Sequence, residues 1–113
     1  MKILHLDKNH PLLLEQLAKA GFTNKEDFSS TKSEIEKIIS TYEGIVIRSR
    51  FTIDKTFLDA AKNLKFIARV GAGLESIDID YAKSKGVHLI AAPEGNSNAV
   101  SEHALGMILS LFN

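Results

Sequence analysis

Gly44-Ile45-Val46-Ile47-Arg48 is the stretch that decides the fold. An unbroken apolar run stopped by a cation is the pattern of a parallel strand covered on both faces; a half-exposed antiparallel strand would alternate. Phe66-Ile67-Ala68-Arg69-Val70 repeats the pattern and runs straight into Gly71-Ala72-Gly73. Val87–Ala91 is the next strand, and Pro93 breaks it. Between the first two runs, Asp54 stands before Phe57, Leu58 and Ala61, a helix with its N-cap. Between the next two, Asp78 or Asp80 starts a short helix through Tyr81 and Ala82 to Gly86. Strands alternating with helices at this pitch predict an α/β architecture, a parallel sheet with helices on both faces.

Toward the N-terminus, Lys2–Leu6 is a short β-prone run that stops at Asp7. Pro11 sits in a first helical turn, where its missing N–H costs little. Leu13, Leu14, Leu17 and Ala18 follow at helical spacing, and Gly21 supplies the stop. Phe22–Phe28 leaves room for a single polar strand. Thr31 with Glu34 three residues on is a capping box, opening a helix with the stripe Ile35, Ile38, Ile39 and Tyr42. Toward the C-terminus, a helix from Ala99 to Phe112 is apolar almost all round after its first turn. Such a helix is normally buried inside something larger. The sequence therefore reads as the front part of a longer protein, with residues 1–98 forming one domain and 99–113 an interdomain helix. Without a partner, Leu105, Met107, Ile108, Leu109 and Phe112 would leave an apolar patch, so self-association through this helix is expected.

Composition narrows the function classes. The 113 residues balance fourteen Lys and Arg against fourteen Asp and Glu. That argues against a nucleic-acid partner, because binding a phosphate backbone needs a cationic excess. With no Cys in the sequence, disulfides, thiolate nucleophiles and Cys-ligated zinc are all excluded. No apolar run approaches the ~20 residues of a membrane span, and the first residues are charged too early for a signal peptide. A soluble, cytoplasmic domain with no membrane partner is the expectation.

In open parallel sheets, ligands bind beyond the carboxyl ends of the strands. Here those ends deliver Asp7, then Arg48-Ser49-Arg50, then Arg69-Val70-Gly71-Ala72-Gly73, then Ala92 through Asn98 at the start of the last helix. Glycine turns and helix starts present N–H groups to anions, and arginine grips carboxylate or phosphate with paired hydrogen bonds. Taken singly, each arginine reads equally well as an ordinary surface charge; together with the glycines they point to a small anionic ligand. Gly71-Ala72-Gly73 is not a dinucleotide fingerprint, because Ser76 stands where a third small residue is needed and no helix follows at once. His5, His10, His88 and His103 show no metal-ligand spacing, and His5 and His88 read as structural. Ser49, Ser97 and Ser101 lack a histidine–carboxylate arrangement.

These segments together resemble the D-isomer-specific 2-hydroxyacid dehydrogenases. The likeness is carried by Ile47-Arg48-Ser49-Arg50, Phe57–Lys65, Ile67–Gly73, Ala82–Val87, Ala92–Ser97 and Ala99–Gly106, and is continuous from about Gly44 to Phe112. Met1–Tyr42 fits in layout. The resemblance implies a flavodoxin-like substrate domain whose last helix crosses into an absent NAD-binding domain. It implies hydride transfer between NAD and a D-2-hydroxy acid by a dimeric parent enzyme. Arg48, with Ser49 beside it, and Arg69 match positions that approach the substrate's anionic end. Gly71, Ala72 and Gly73 match the loop facing the substrate carboxylate, with Ala72 on its nicotinamide side; Asn96 and Val100 match the hinge and helix start beside the cofactor. The family's fingerprint, catalytic arginine, its acidic partner and general-acid histidine have no matching position here. No catalytic residue, metal site or bound NAD is therefore expected in this chain. Glu75-Ser76 and Ala91 depart from the Asp-Asn and Asn usual in the family. The competing readings are a non-enzymatic flavodoxin-like small-anion sensor and a stand-alone assembly module. A phosphoacceptor receiver would carry an aspartate where Arg48 stands.

Overall fold

Five short strands pair in parallel, each joined to the next by a helical connection, so every strand points the same way. The computed structural model describes residues 1–8, 11–71, 76–92 and 97–111. Along the chain lie β1 (Lys2–His5), α1 (Pro11–Lys19), β2 (Thr23–Glu26), α2 (Lys32–Ile38) and a 3-10 turn (Ile39–Thr41). They are followed by β3 (Gly44–Ile47), α3 (Lys55–Ala60), β4 (Phe66–Val70), α4 (Ile79–Ser84), β5 (His88–Ala92) and α5 (Ser97–Ser110). The strands pair in the order β2-β1-β3-β4-β5, the flavodoxin-like arrangement of doubly wound sheets.

Strand alternation divides the core in two. Leu4, Ile45, Ile47 and Ile67 face one side, where they pack with Ile35 of α2, Phe57 of α3 and Ala82 of α4. Ile3, Val46, Phe66 and Ala68 face the other, against Leu13 and Leu17 of α1 and Ile108 of α5. All four residues of β3 are buried, as its unbroken apolar run requires. Edge strand β2 is polar and mostly exposed, which blunts an otherwise open sheet edge.

The helix starts follow their side chains. Thr31 Oγ1 accepts from the Glu34 N–H at 3.2 Å, and Glu34 Oε1 accepts from the Thr31 N–H at 2.8 Å. Asp54 accepts from the Phe57 N–H at 3.0 Å. Asp78 accepts from the Tyr81 N–H at 3.2 Å, which makes Asp78 and not Asp80 the cap of α4.

Gly44 pairs with Phe66 across β3 and β4, and the Phe66 ring lies where a Cβ on Gly44 would project. At the other end of the chain, α5 begins at Ser97 rather than Ala99, and it docks on the chain's own α1, β4 and β5. Ile108 is fully buried there, with Leu105 and Leu111 packed on the same cluster. The expected free apolar patch is accordingly narrower: Leu105, Ile108 and Leu111 pack inward, Met107 stays 41% exposed, and Phe112 lies outside the described residues. Among the described residues, no helix is long and apolar enough to cross a membrane.

Candidate functional site

Because the strands are parallel, the residues that come after them collect on one rim. Ile47 pairs with Arg69, so Arg48, the next residue, stands beside Arg69 on the adjacent strand. Both arginines are half-buried at the carboxyl ends of their strands. The chains leaving β3 and β4 meet once more beyond it. The Ile53 N–H donates to the Ser76 carbonyl at 2.8 Å, and the Asp78 N–H donates to the Ile53 carbonyl at 2.9 Å. Ile53 and Ile77 form this extra parallel bridge and are both buried, which anchors the two loops to a common base.

Gly71 follows β4 with φ of 133°, a backbone state that L side chains rarely adopt, and it is buried. The bend there needs glycine. Ala72, Gly73 and Asn96 lie outside the described residues, and Val100 is placed on α5 by its backbone.

The loop after β3 is held by Asp7. One carboxylate oxygen, Oδ2, accepts from the N–H groups of Arg48 at 2.6 Å, Ser49 at 3.1 Å and Arg50 at 3.2 Å. Three successive N–H donors on one anion make a backbone anion cradle, here filled from within the chain. Ser49 itself is exposed.

Arg50 has a structural task. Its guanidinium donates to the Leu6 carbonyl at 3.0 Å and to the carbonyls of Asp27 and Ser30. It also stands 3.8 Å from the Asp27 carboxylate. Hydrogen bonds from Ser30, then from Ser29, with Arg50 adding a smaller pull, hold that carboxyl below its ordinary value. Arg50 thus ties β1 to the loop before α2. Of the three arginines that the strand ends deliver, Arg50 therefore serves the frame.

Behind the rim, His5 is fully buried and its Nε2 lies 2.8 Å from Asn24 Oδ1. Asn24 Nδ2 donates to the Leu14 carbonyl at 3.1 Å, which fixes the amide orientation and makes His5 Nε2 the donor. Burial lowers the His5 pKa below its ordinary value, against the Asn24 bond and Glu26. His5 is structural, as expected of a strand histidine, while His88 is exposed.

Among the described residues, no group of three His, Cys, Asp or Glu side chains is placed to hold a metal. Ser76 and Ile77 are engaged in the bridge to Ile53, and α4 starts at Ile79. What the rim offers is two guanidinium groups on neighbouring strands and a glycine bend. Guanidinium groups bind small anions by charge and by paired hydrogen bonds.

Sequence reasoning placed Asp7 at the rim but found neither its bonds nor those of Arg50. Asp7 and Arg48 are 41 positions apart, and no spacing rule connects them. The strand order was the one usable signal, because it makes β1 and β3 neighbours.

The sequence model for the D-isomer specific 2-hydroxyacid dehydrogenase catalytic domain matches residues 3–107. A D-3-phosphoglycerate dehydrogenase of Archaeoglobus fulgidus is 33% identical over 110 residues, covering 97% of this chain and 21% of its own length. A hydroxypyruvate reductase of Thermotoga maritima is 36% identical over 102 residues, covering 86% of this chain and 33% of its own. The crystal structure of a cofactor (NAD+)-bound 3-phosphoglycerate dehydrogenase of Entamoeba histolytica superposes with a TM-score of 0.75 at 28% identity. That match covers 96% of this chain and 38% of the other. The chain thus spans between a fifth and a third of the length of these curated relatives.

Proposed function

The chain belongs to the D-isomer specific 2-hydroxyacid dehydrogenase family, and from that premise we propose that it is the substrate-binding part of an NAD-dependent oxidoreductase. Its substrate is a D-2-hydroxy acid carrying a second anionic group, with D-3-phosphoglycerate the best fit. One observation supports this reading: the pairing of Ile47 with Arg69, which brings the chain positions of Arg48 and Arg69 to the same end of adjacent strands. A simple hydroxy acid offers one carboxylate, and one guanidinium suffices for it. A second cation beside it suits a phosphate remote from C2. The relatives named for phosphoglycerate support the same choice.

In this reading the chain binds and orients, and hydride transfer belongs to residues outside it. Arg48 and Arg69 grip the phosphate or carboxylate away from C2, and the bend at Gly71 presents backbone to the carboxylate beside it. Binding energy from these remote groups holds C2 in a reactive orientation. α5 leads toward an NAD-binding domain, and its exposed side, including Met107, contributes to a contact with that domain or a second copy.

Two measurements test the reading. The chain by itself, given NAD and D-3-phosphoglycerate, forms no NADH; measurable turnover contradicts the division of labour. In a complete enzyme carrying this segment, Arg48→Gln and Arg69→Gln each raise KM for D-3-phosphoglycerate about tenfold or more, from the loss of charged hydrogen bonds worth roughly 1.5–3 kcal/mol. Unchanged KM in both variants removes the clamp.

A further inference from the structure

In a sheet of order 2-1-3-4-5, the crevice between β1 and β3 is where the winding reverses, and it is the default place for a ligand. In this chain that place is taken. Asp7 leaves β1 and sets Oδ2 against the N–H groups of Arg48, Ser49 and Arg50 at 2.6, 3.1 and 3.2 Å. Arg50 returns the tie by donating to the carbonyl of Leu6, the residue before Asp7, at 3.0 Å. The Leu6 N–H in turn donates to the Val46 carbonyl at 2.9 Å, so the crevice is stitched from both walls.

We propose that Asp7 is the resident anion of this cradle and a positioning residue for the site. Its carboxylate occupies the anion position at the winding reversal, excludes external anions from it, and fixes the backbone that carries Arg48. The external anion is thereby moved one strand along, to the β3–β4 edge where Arg48 and Arg69 stand. The chemistry is that of exchange. Three N–H donors aimed at one point attract any small oxyanion, and an intramolecular carboxylate outcompetes a dissolved one because its local concentration is far higher. If the carboxylate is removed, the donors remain and a dissolved phosphate can take its place. This proposal rests on the substrate-binding reading for the destination of the anion. The filling of the cradle by Asp7 stands apart from it.

The test tracks backbone amide resonances of the whole chain in 15N–1H spectra during titration with inorganic phosphate. Wild type, Asp7→Ala and Asp7→Asn are compared. In wild type, the Arg48, Ser49 and Arg50 amides already lie downfield through bonding to a carboxylate, and phosphate leaves the Ser49 and Arg50 amides in place. In Asp7→Ala, the three amides move upfield without phosphate and return downfield in a saturable way when it is added. Asp7→Asn retains an acceptor oxygen, so it keeps the fold and a partial downfield position and gains little phosphate response. A purely structural loss in Asp7→Ala would not be reversed by phosphate at these amides. Should Asp7→Ala fail to fold, the smaller upfield shift confined to the same amides in Asp7→Asn carries the test.

Two results overturn the proposal. One is a wild-type Ser49 or Arg50 amide that responds to phosphate as strongly as in Asp7→Ala; the other is amide positions unchanged in both variants. Failure of the substrate reading has a separate signature. Arg69 and Gly71 would then ignore D-3-phosphoglycerate in wild type, while the Asp7 variants behave as described.

Discussion

Gly44→Ala tests whether the spacing of the two site-bearing strands is set where they begin. Gly44 and Phe66 are paired at the amino end of the β3–β4 ladder, and Ile47 and Arg69 at its carboxyl end. A Cβ on Gly44 would overlap the Phe66 ring, approaching several ring carbons closer than real carbon atoms come. The ring has nowhere to go, because Phe66 is fully buried among Ile3, Val46 and the α1 leucines. Either the ring leaves its rotamer or the strands part. Overpacking of this kind costs about 1–3 kcal/mol. Ala also restricts the unfolded chain, which returns about 0.5 kcal/mol, so the net loss is about 0.5–2.5 kcal/mol. With a urea slope of about 1–2 kcal/mol/M for a domain this size, the midpoint falls by about 1 M. Combining Gly44→Ala with Phe66→Leu frees the space, so the double variant is more stable than the sum of the singles by about 1 kcal/mol. Urea unfolding monitored by circular dichroism measures all four proteins. Gly44→Ala with wild-type stability, or strict additivity in the cycle, refutes the reasoning.

Three other substitutions separate frame from site. Arg50→Ala strands the Leu6, Asp27 and Ser30 carbonyls and lowers stability by about 2–3 kcal/mol, whereas Arg48→Gln and Arg69→Gln weaken anion binding with a smaller loss of stability; equal losses in all three contradict the separation. His5 gives the pH dependence. Its folded pKa lies below the ordinary 6.5 because it is buried, so its contribution is complete above about pH 6.5 and is lost as pH falls through that value toward the folded one, with a slope of at most about 1.4 kcal/mol per pH unit. Asp27 and Asp54 are both shifted below their ordinary 3.8 and do not titrate in this window. The urea midpoint therefore falls between pH 7.5 and 5.5, and His5→Gln flattens the profile; an equal fall in the variant contradicts the assignment.

The legible parts of the fold were those written locally. The Thr31–Glu34 box, the Asp54 cap and the apolar run of β3 each depend on residues within a few positions, and the structure keeps all three. β2 was legible only as room for a polar strand, because an edge strand carries no apolar period. Asp78 and Asp80 were equivalent in sequence; the bridge from Ile53 selects Asp78, because it fixes where the chain enters α4. The apolar residues of α5 nearly encircle it and point to burial against something larger, yet Ile108 is buried within the chain's own cluster with α1.

The site divides in the same way. That Arg48 and Arg69 share an edge comes from parallel strands ending together, which the alternation of strands and helices already implied. Which arginine serves structure was not implied. Arg50 is defined by carbonyls of Leu6, Asp27 and Ser30 that fold onto it from 20 to 44 positions away. Asp7 is likewise defined by contacts 41 to 43 positions away. Long-range polar contacts leave no period in a sequence.

On the proposed function, Arg48, Arg69 and the bend at Gly71 together receive the anionic end of a hydroxy acid. Titration of the isotopically labelled chain with D-3-phosphoglycerate, reading the arginine side-chain Nε–H resonances and the Gly71 amide, tests this. Saturable shifts of Arg48, Arg69 and Gly71 with one common affinity are expected, weaker with D-lactate and abolished in the Arg48→Gln, Arg69→Gln double variant. Shifts that cluster elsewhere on the sheet, or that persist in the double variant, contradict it.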